Sequence, residues 1–435
     1  MAQQPASPAE EDTSAPSNLA PDTGLPLDRG AMVRFGAGFL LISVLWAVGL
    51  SIIASVLLPQ RLKDLGVANP DALLGTINAI TAVVSLVSNL IFGNFSDRTR
   101  SRLGRRTPWV VWGGIIGGVT LFAVGVIGNT KLLTLDYCLC MVGLNMMLAP
   151  AIAVLSDRVP ESIRGTMSTF WGVGAAMGYP LGAIIGASFI TGGSAATSGF
   201  VVGGILMGIS GIVAVALWPR ERSSADLPPA GQSLADLARS FIPPTHGASD
   251  FYKAFFGRFT MLISYQMINA YQLYIIQDYL DLSAGQVAST VALTNTIILV
   301  VSLAGGFIGG PLSDLLHRRK VPVVMASLCF ALGVAMPWIM PTTTGMYLFA
   351  AIAGFGYAVY GSVDQALNVD VLPDPETAGK DLGILNMSTT FGQMCGPIIT
   401  SFVVTRTGSY SLVFPISIVC AVVGCFSILA IRKVR

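Results

Sequence analysis

Twelve long apolar stretches, separated by short polar connections, run through this sequence. A helix that crosses the hydrocarbon core of a bilayer needs about 20 consecutive, mostly apolar residues, and a helix satisfies its own backbone hydrogen bonds there. The pattern therefore predicts an all-α membrane protein with twelve transmembrane helices. The predicted spans are residues 35–58, 72–93, 108–128, 132–156, 166–191, 199–218, 251–279, 287–309, 321–340, 344–369, 381–404 and 409–431.

The composition fits a lipid environment and narrows the classes of function. Hydrophobic residues make up 53% of the chain and charged residues only 11%, whereas a soluble domain carries roughly 25% charged residues. The chain has two histidines, six cysteines without metal-ligand spacing and no Gly-x-x-x-x-Gly-Lys loop for ATP. We expect no enzymatic activity, no metal site, no nucleic-acid partner and no cofactor other than a coupling proton or sodium ion. The expected partners are a small-molecule substrate, most simply a sugar, and the lipid bilayer. The expected oligomeric state is a monomer.

The basic residues predict the orientation of the chain. With twelve spans, 21 of the 25 Lys and Arg residues fall on the side of the two termini. Basic residues concentrate in cytoplasmic loops, so both termini are expected in the cytoplasm and the protein in the plasma membrane. The expected parts are a disordered cytoplasmic tail (1–34), a six-helix bundle (35–218), a cytoplasmic central loop (219–250) and a second six-helix bundle (251–435).

The two halves of the sequence repeat one another. Span 2 ends in Gly93-Asn-Phe-Ser-Asp97, and span 8 ends in Gly310-Pro-Leu-Ser-Asp314; a pair of arginines follows each of them. Spans 4 and 10 likewise both end in an aspartate with a proline three residues later. Two halves with the same order and direction predict the major facilitator fold, whose substrate site lies near the membrane midplane between the halves.

The acidic and basic residues of these repeated loops form a candidate conformational latch. A carboxylate at a helix end can pair with arginines or with a helix N-terminus, and such pairs can break as the halves rock. The alternative is that the arginines only set the topology. The candidate latch residues are Asp97, Arg98, Arg105, Arg106, Asp157, Asp314, Arg318, Arg319 and Asp370.

Two stripes of glycines predict places where helices approach closely. Small residues on one helix face let two backbones come together. One prediction is a sliding contact between the halves; ordinary tight packing is the other. The stripes are Gly174, Gly178, Gly182 and Gly186 in span 5, and Gly305, Gly306, Gly309 and Gly310 in span 8.

The loop after span 2 also points to a narrower family. In the stretch from Gly93 to Pro108, extra residues separate Asp97-Arg98 from Gly104-Arg105-Arg106. This expanded loop resembles the glycoside–pentoside–hexuronide cation symporter family and the related sucrose transporters. The resemblance implies a sugar or glycoside as substrate and a coupling cation. Further similar segments are Asn145…Pro150…Asp157-Arg-Val-Pro160…Arg164-Gly165 and Val363-Asp364-Gln365-Ala366…Asp370-Val-Leu-Pro373…Gly379-Lys380-Asp381.

Two departures from that family concern the coupling ion. Melibiose-type members bind sodium through acidic residues within span 2, but here span 2 has none between Asp71 and Asp97. Plant sucrose carriers have an arginine in span 4 at the place of Ile152. Neither coupling mechanism carries over directly to this chain.

Asp364 is the carboxylate that lies well inside a predicted span. A charge at the membrane centre costs at least about 2.5–3.5 kcal/mol on insertion scales, so it needs a reason. Tyr360 and Tyr357 precede it by one and two turns on the same helix face, and Asn368 continues that face. We expect Asp364 to be a coupling residue facing the cavity, with Arg258 as its partner; the alternative is a purely structural ion pair.

Amides and phenols at high density predict a polyhydroxyl substrate. In span 7, Arg258, Tyr265, Asn269 and Gln272 are expected on one face by the 3.6-residue period. Such groups offer the donors and acceptors that a sugar needs; packing between helices is the alternative for each amide. The candidate substrate-binding residues are Asn145, Tyr265, Asn269, Gln272, Tyr357, Tyr360, Asn386 and Gln393, and the candidate coupling residues are Asp364 and Arg258.

These features predict secondary active transport of a sugar or glycoside, driven by a proton or another cation, through rocking of the two bundles. The alternative is a major facilitator carrier or exporter of another small organic or lipid-like solute. An alternative of another class is a non-transporting membrane sensor, which would need a sizeable soluble domain.

Overall fold

The computed structural model describes residues 19–190, 193–225, 244, 248–316, 320–372 and 378–432. These residues are almost entirely helical, and the described part of the chain has no strand apart from an isolated bridge between Leu19 and Pro26. Helix α1 (Arg29–Ser51) continues without a break through a π-helical turn (Ile52–Leu57) to Leu58–Asp64. The other helices of the first half are α2 (Pro70–Arg98), α3 (Thr107–Ala123), α4 (Thr130–Arg158), α5 (Glu161–Ala187) and α6 (Gly193–Leu217).

The second half repeats this arrangement, as the sequence predicts. Helix α7 (Ser249–Asn269) breaks at Ala270 and Tyr271 and resumes in Gln272–Tyr274 and a π-helical turn, Ile275–Tyr279. Five helices follow: α8 (Ala284–Leu316), α9 (Lys320–Ile339), α10 (Thr343–Asp370), α11 (Ala378–Thr407) and α12 (Val413–Leu429). We call the side on which α1 begins and α12 ends the terminal side, and the other the opposite side.

Side-chain caps set several helix starts. Asn69 accepts a hydrogen bond from the amide of Ala72, 3.1 Å away, and the proline at the first position of α2 has no N–H group that would need an acceptor. Asp28 accepts from the amide of Ala31 in the same way, so α1 begins at Arg29 and not at residue 35. The turn before it packs on the bundle, since Ala20 is fully buried. The boundary predicted at residue 34 therefore lies inside α1, and residues 1–18 of the predicted tail lie outside the described residues.

Length and mean hydropathy divide the twelve helices α1–α12 into three groups. Eight helices of the described chain are long and apolar enough to cross a membrane by length and composition, and α3 and α12 are shorter apolar helices. Helices α7 and α11 do not meet that criterion. They carry three of the candidate amides, Asn269, Asn386 and Gln393. The least apolar helices are therefore among those expected to line a water-filled site.

Several glycines of the two stripes pack against a helix of their own half. A Cβ on Gly178 would lie 2.6 Å from Cβ of Ala47, and one on Gly182 would lie 2.5 Å from the carbonyl oxygen of Val48, so α5 packs backbone to backbone on α1. On the other stripe, a Cβ on Gly305 would meet α10. Close packing within a half explains these positions. Helices α5 and α8 also contact each other across the halves, so the predicted sliding contact between them stays a prediction.

Candidate transport site

The second half contains a buried ion pair between α7 and α10. Nε of Arg258 lies 3.3 Å from Oδ2 of Asp364, and both side chains are buried. The amide of Asn368 donates to the same Oδ2 at 3.0 Å. The pairing of Arg258 with Asp364 that the sequence predicts is thus present in the structure.

Several atoms of this cluster lack hydrogen bonds among the described residues. They are Nε and one terminal nitrogen of Arg258, Oδ1 of Asp364, the hydroxyl of Tyr360 and Oδ1 of Asn368. The Tyr360 hydroxyl lies close enough to the Asp364 carboxylate to interact with it. Unpaired buried polar groups are costly, so the cluster can accept a proton, a water molecule or a polar ligand.

Aromatic rings stand next to this ion pair. The rings of Tyr265 and Tyr357 stack with centroids 3.8 Å apart and planes 7° from parallel. Tyr360 continues the stack on α10 at 6.3 Å, and Phe330 of α9 closes one side at 6.2 Å from Tyr265. Three of the predicted substrate-binding tyrosines therefore form one aromatic wall.

The predicted amides divide into two groups. Asn145 is buried, donates to the carbonyl of Met141 at 2.8 Å and accepts from Asn89 of α2 at 3.3 Å. Gln272 is also buried and accepts from Asn295 of α8 at 3.3 Å. A break at Ala270 and Tyr271 separates Gln272 from the helix that carries Tyr265, so the helix predicted over this face is interrupted between the two residues.

The other three amides are exposed. Asn269, Asn386 and Gln393 all have open side chains in membrane-spanning helices. An amide that faced hydrocarbon without a hydrogen-bond partner would cost several kcal/mol, roughly, so these side chains face water. Their place in α7 and α11 makes the space between the halves the water-filled region.

A network of charges ties together the helix ends of the first half on the terminal side. Arg106 pairs with Asp97 of α2 and with Asp157 of α4, the latter at 2.8 Å, and also contacts the buried hydroxyl of Ser96. Arg105 pairs with Asp157 at 2.9 Å. Four of the five candidate latch residues in the first half therefore meet at one place: Asp97, Arg105, Arg106 and Asp157. Arg98, the fifth, is exposed at the end of α2.

Glu221 completes this network, and the sequence analysis missed it. Its carboxylate accepts hydrogen bonds from the backbone amides of Arg105, Arg106 and Thr107 at 2.9–3.0 Å and from the hydroxyl of Thr107 at 2.8 Å. A carboxylate at this position stabilises the N-terminus of α3. The sequence gives no local signal for it, because Glu221 lies more than 110 residues further along the chain.

The corresponding network of the second half is not described. Arg318 and Arg319 lie outside the described residues, and the side chain of Asp314 is likewise not described. Asp370 ends helix α10 and is exposed. The second copy of the predicted latch therefore stays a prediction.

The two halves are closed against each other on the opposite side. Asp71 at the start of α2 accepts from the hydroxyl of Tyr410 through its carboxylate. Its carbonyl oxygen accepts from the hydroxyls of Tyr271 and Ser401 at 2.9 and 3.2 Å. We call Asp71, Tyr271, Ser401 and Tyr410 the outer clasp.

A second group of contacts joins α1 to the end of α7 on the same side. Lys63 pairs with Asp278 at 2.6 Å and donates to Gln277 at 2.8 Å. The hydroxyl of Tyr274 donates to the carbonyl of Pro59 at 2.8 Å. Both π-helical turns lie next to these contacts, and such turns are frequent at functional sites.

A cavity of about 440 Å³ opens above the clasp on the opposite side. Asp278 and Tyr279, which line it, lie 20 and 21 residues beyond Arg258 in the chain, at the other end of α7. We therefore regard the cavity as a space outside the outer clasp and not as the transport site. Its lining residues are Asn69, Asp71, Asp278, Tyr279, Val404, Thr405, Gly408, Ser409 and Tyr410.

Comparison with known proteins agrees with this architecture. The family model of the Major Facilitator Superfamily matches the chain twice, over residues 35–253 and 254–435, which together cover nearly its whole length. The chain belongs to the Major Facilitator Superfamily. It is a multi-pass membrane transporter and not an enzyme, with twelve transmembrane helices in two six-helix halves.

Relatives within the superfamily transport different solutes. The hexuronate transporter of Bacillus subtilis (strain 168) is 24% identical over 354 residues, which cover 78% of this chain and 81% of that protein. Among solved structures, a mutant of the nucleoside transporter NupG superposes with a TM-score of 0.73 at 15% identity, covering 92% of this chain and 100% of that chain. An inward-facing, unoccupied bacterial homolog of the human lysosomal transporter Spinster gives 0.71 at 15% identity, covering 94% and 98%. The last two similarities show the fold alone.

Proposed function

We propose that this transporter carries a sugar-type solute uphill by coupling its movement to protons. The observation that supports this most directly is the buried Arg258–Asp364 pair beside the wall of Tyr265 and Tyr357. The exposed amides of α7 and α11 supply the donors and acceptors for hydroxyl groups. The relative that carries hexuronate supports a sugar derivative as the substrate.

Asp364 serves as the proton-binding group in this proposal. Arg258 and Asn368 both contact Oδ2, which leaves Oδ1 available to take up a proton. Arg258 places a fixed positive charge 3.3 Å from the other oxygen, which disfavours a sodium ion in the same place. The absence of an acidic residue within span 2 also disfavours the sodium site of melibiose-type carriers.

The charge balance favours an acidic sugar over a neutral one. When Asp364 binds a proton, Arg258 loses its counter-charge in a buried site, and an unpaired buried ion costs several kcal/mol, roughly. A substrate carboxylate near Arg258 would restore the balance, because guanidinium groups bind carboxylates well. A proton and a hexuronate-like anion would then load the site together as a neutral pair.

The terminal side is the cytoplasmic side in this proposal, as the distribution of basic residues predicts. The outer clasp then closes the extracellular side of the carrier. Movement of the halves would break the clasp and form contacts between the loops that carry Asp97 and its counterpart Asp314. The Arg106 network holds the helix ends of the first half together as one rigid unit during that movement.

Gradient-driven uptake into proteoliposomes tests this proposal. The purified chain would be reconstituted and given an inward proton or sodium gradient, with labelled neutral hexoses, glycosides, hexuronates and nucleosides as the panel. We expect accumulation of a sugar or sugar acid that follows the proton gradient and stops on adding a protonophore. Accumulation of nucleosides alone, or sugar uptake that follows only sodium, would contradict the proposal.

A further inference from the structure

An aromatic pair in the first half faces the tyrosine wall of the second. Trp46 of α1 and Tyr179 of α5 lie near the middle of their helices, with ring centroids 5.6 Å apart and perpendicular planes. Trp46 is buried, whereas 45% of the Tyr179 surface is open. Helix α5, which carries Tyr179, contacts α8 of the second half, and Tyr179 lies within charge-interaction range of Tyr265 and Tyr357. Its open surface therefore faces the other half and not the lipid.

The packing of α5 on α1 holds Tyr179 in place. The preceding residue, Gly178, lets the two backbones touch, and the hydroxyl of Ser51 donates to the carbonyl oxygen of Tyr179 at 2.7 Å. The ring of Trp46 packs perpendicular to the phenol ring. The first half thus presents an aromatic face to the second half, which carries the Tyr265–Tyr357 stack.

We propose that Tyr179 is a specificity-determining residue that stacks on the ring of the substrate, so that the carrier selects cyclic over open-chain sugar acids. This rests on the proposed function. The faces of a sugar ring carry C–H groups that pack well on an aromatic ring, and two facing aromatic walls can hold one flat solute between them. An open-chain sugar acid offers the same carboxylate and hydroxyls to Arg258 and the amides, but it has no flat face.

Paired ligands and matched variants test this inference in proteoliposomes. Labelled glucuronate uptake is measured while unlabelled glucuronate (a ring) or gluconate (an open chain) competes. In Tyr179→Leu, the affinity for glucuronate should fall about 2- to 12-fold, the loss expected for one aromatic contact. The affinity for gluconate should stay within about twofold, so the preference for the ring shrinks, whereas Tyr179→Phe should keep it. Tyr252→Leu is the control, because that tyrosine is also 45% exposed but lies at the terminal end of α7.

Each outcome separates the inference from the proposed function. An unchanged preference for the ring in Tyr179→Leu, or an equal loss in Tyr179→Phe, would overturn the role of the aromatic face. If the leucine variant does not fold, as judged by its thermal unfolding, Tyr179→Met provides the same comparison. Transport of neither compound by the unaltered chain would instead be a failure of the proposed function. If the unaltered chain transports a neutral hexose, the same competition test uses that hexose as the ring compound and its alditol as the open-chain compound.

Discussion

Replacing Gly75 with alanine should open the gate on the opposite side. Gly75 lies in α2 directly against Ser401 of α11. A Cβ on Gly75 would collide with Cβ of Ser401 and lie 2.7 Å from its hydroxyl oxygen and 2.9 Å from the hydroxyl of Tyr271. A Cβ atom cannot move away from its own helix backbone, so the two helices must separate. The outer clasp exists only while these helices are in contact.

The size of the effect follows from the cost of overpacking. Inserting one methyl group into a well-packed contact costs about 1–3 kcal/mol, and this cost applies only to the state in which the clasp is closed. The ratio of open to closed molecules should therefore rise by roughly 5- to 150-fold. Separation also weakens the hydrogen bonds of Tyr271 and Ser401 to the carbonyl of Asp71, which adds to the shift.

Distance measurements between spin labels can detect this shift. Labels at Ala68 and Ala284 would report on the opposite side, because both residues are exposed there and belong to different halves. The six native cysteines would be replaced beforehand. We expect a longer distance to gain population in Gly75→Ala and not in Gly128→Ala, where a Cβ would meet nothing within 4 Å. Identical distance distributions for both variants would refute the steric argument.

Three further predictions concern the charges and the topology. Asp97→Asn should slow uptake and leave substrate binding within about twofold, because Arg106 loses one partner of a network that lies away from the site; equal loss of binding and turnover would argue against a latch. Arg258→Gln should lower the free energy of unfolding by about 3–5 kcal/mol by leaving a buried carboxylate unpaired. The double variant with Asp364→Asn should recover most of that loss, and thermal unfolding in detergent that shows equal destabilisation would count against the pair. A reporter fused after Arg435 that is active only outside the cytoplasm should be silent, and a strong signal would overturn the proposed orientation.

The sequence predicts the fold well because each span is a long apolar run and the second half repeats the first. Boundaries are less accurate where a cap or a break decides them. Asp28 starts α1 six residues early, and the break after Asn269 divides a span that reads as continuous in the sequence. Such features depend on single hydrogen bonds and on packing, which periodicity does not record.

The candidate site is predictable where its residues lie on one helix. Tyr357, Tyr360 and Asp364 share a face of α10 at helical spacing, so their proximity follows from the sequence alone. Contacts between distant segments are different: neither Glu221 at the start of α3 nor Tyr179 opposite the tyrosine wall has a local signal. The glycines of α5 were visible, but only the structure shows that they pack against α1.

Comparing uphill transport with exchange in Asp364→Asn tests proton coupling most directly. The variant would be reconstituted at the same protein density as the unaltered chain, with folding checked by thermal unfolding and with the double variant Arg258→Gln/Asp364→Asn as the charge-balanced control. Removal of the proton-binding group should abolish accumulation driven by a proton gradient, while exchange of labelled for unlabelled substrate at equal concentrations continues. Normal proton-driven accumulation by Asp364→Asn would contradict the proposal and leave Asp364 as a structural partner of Arg258.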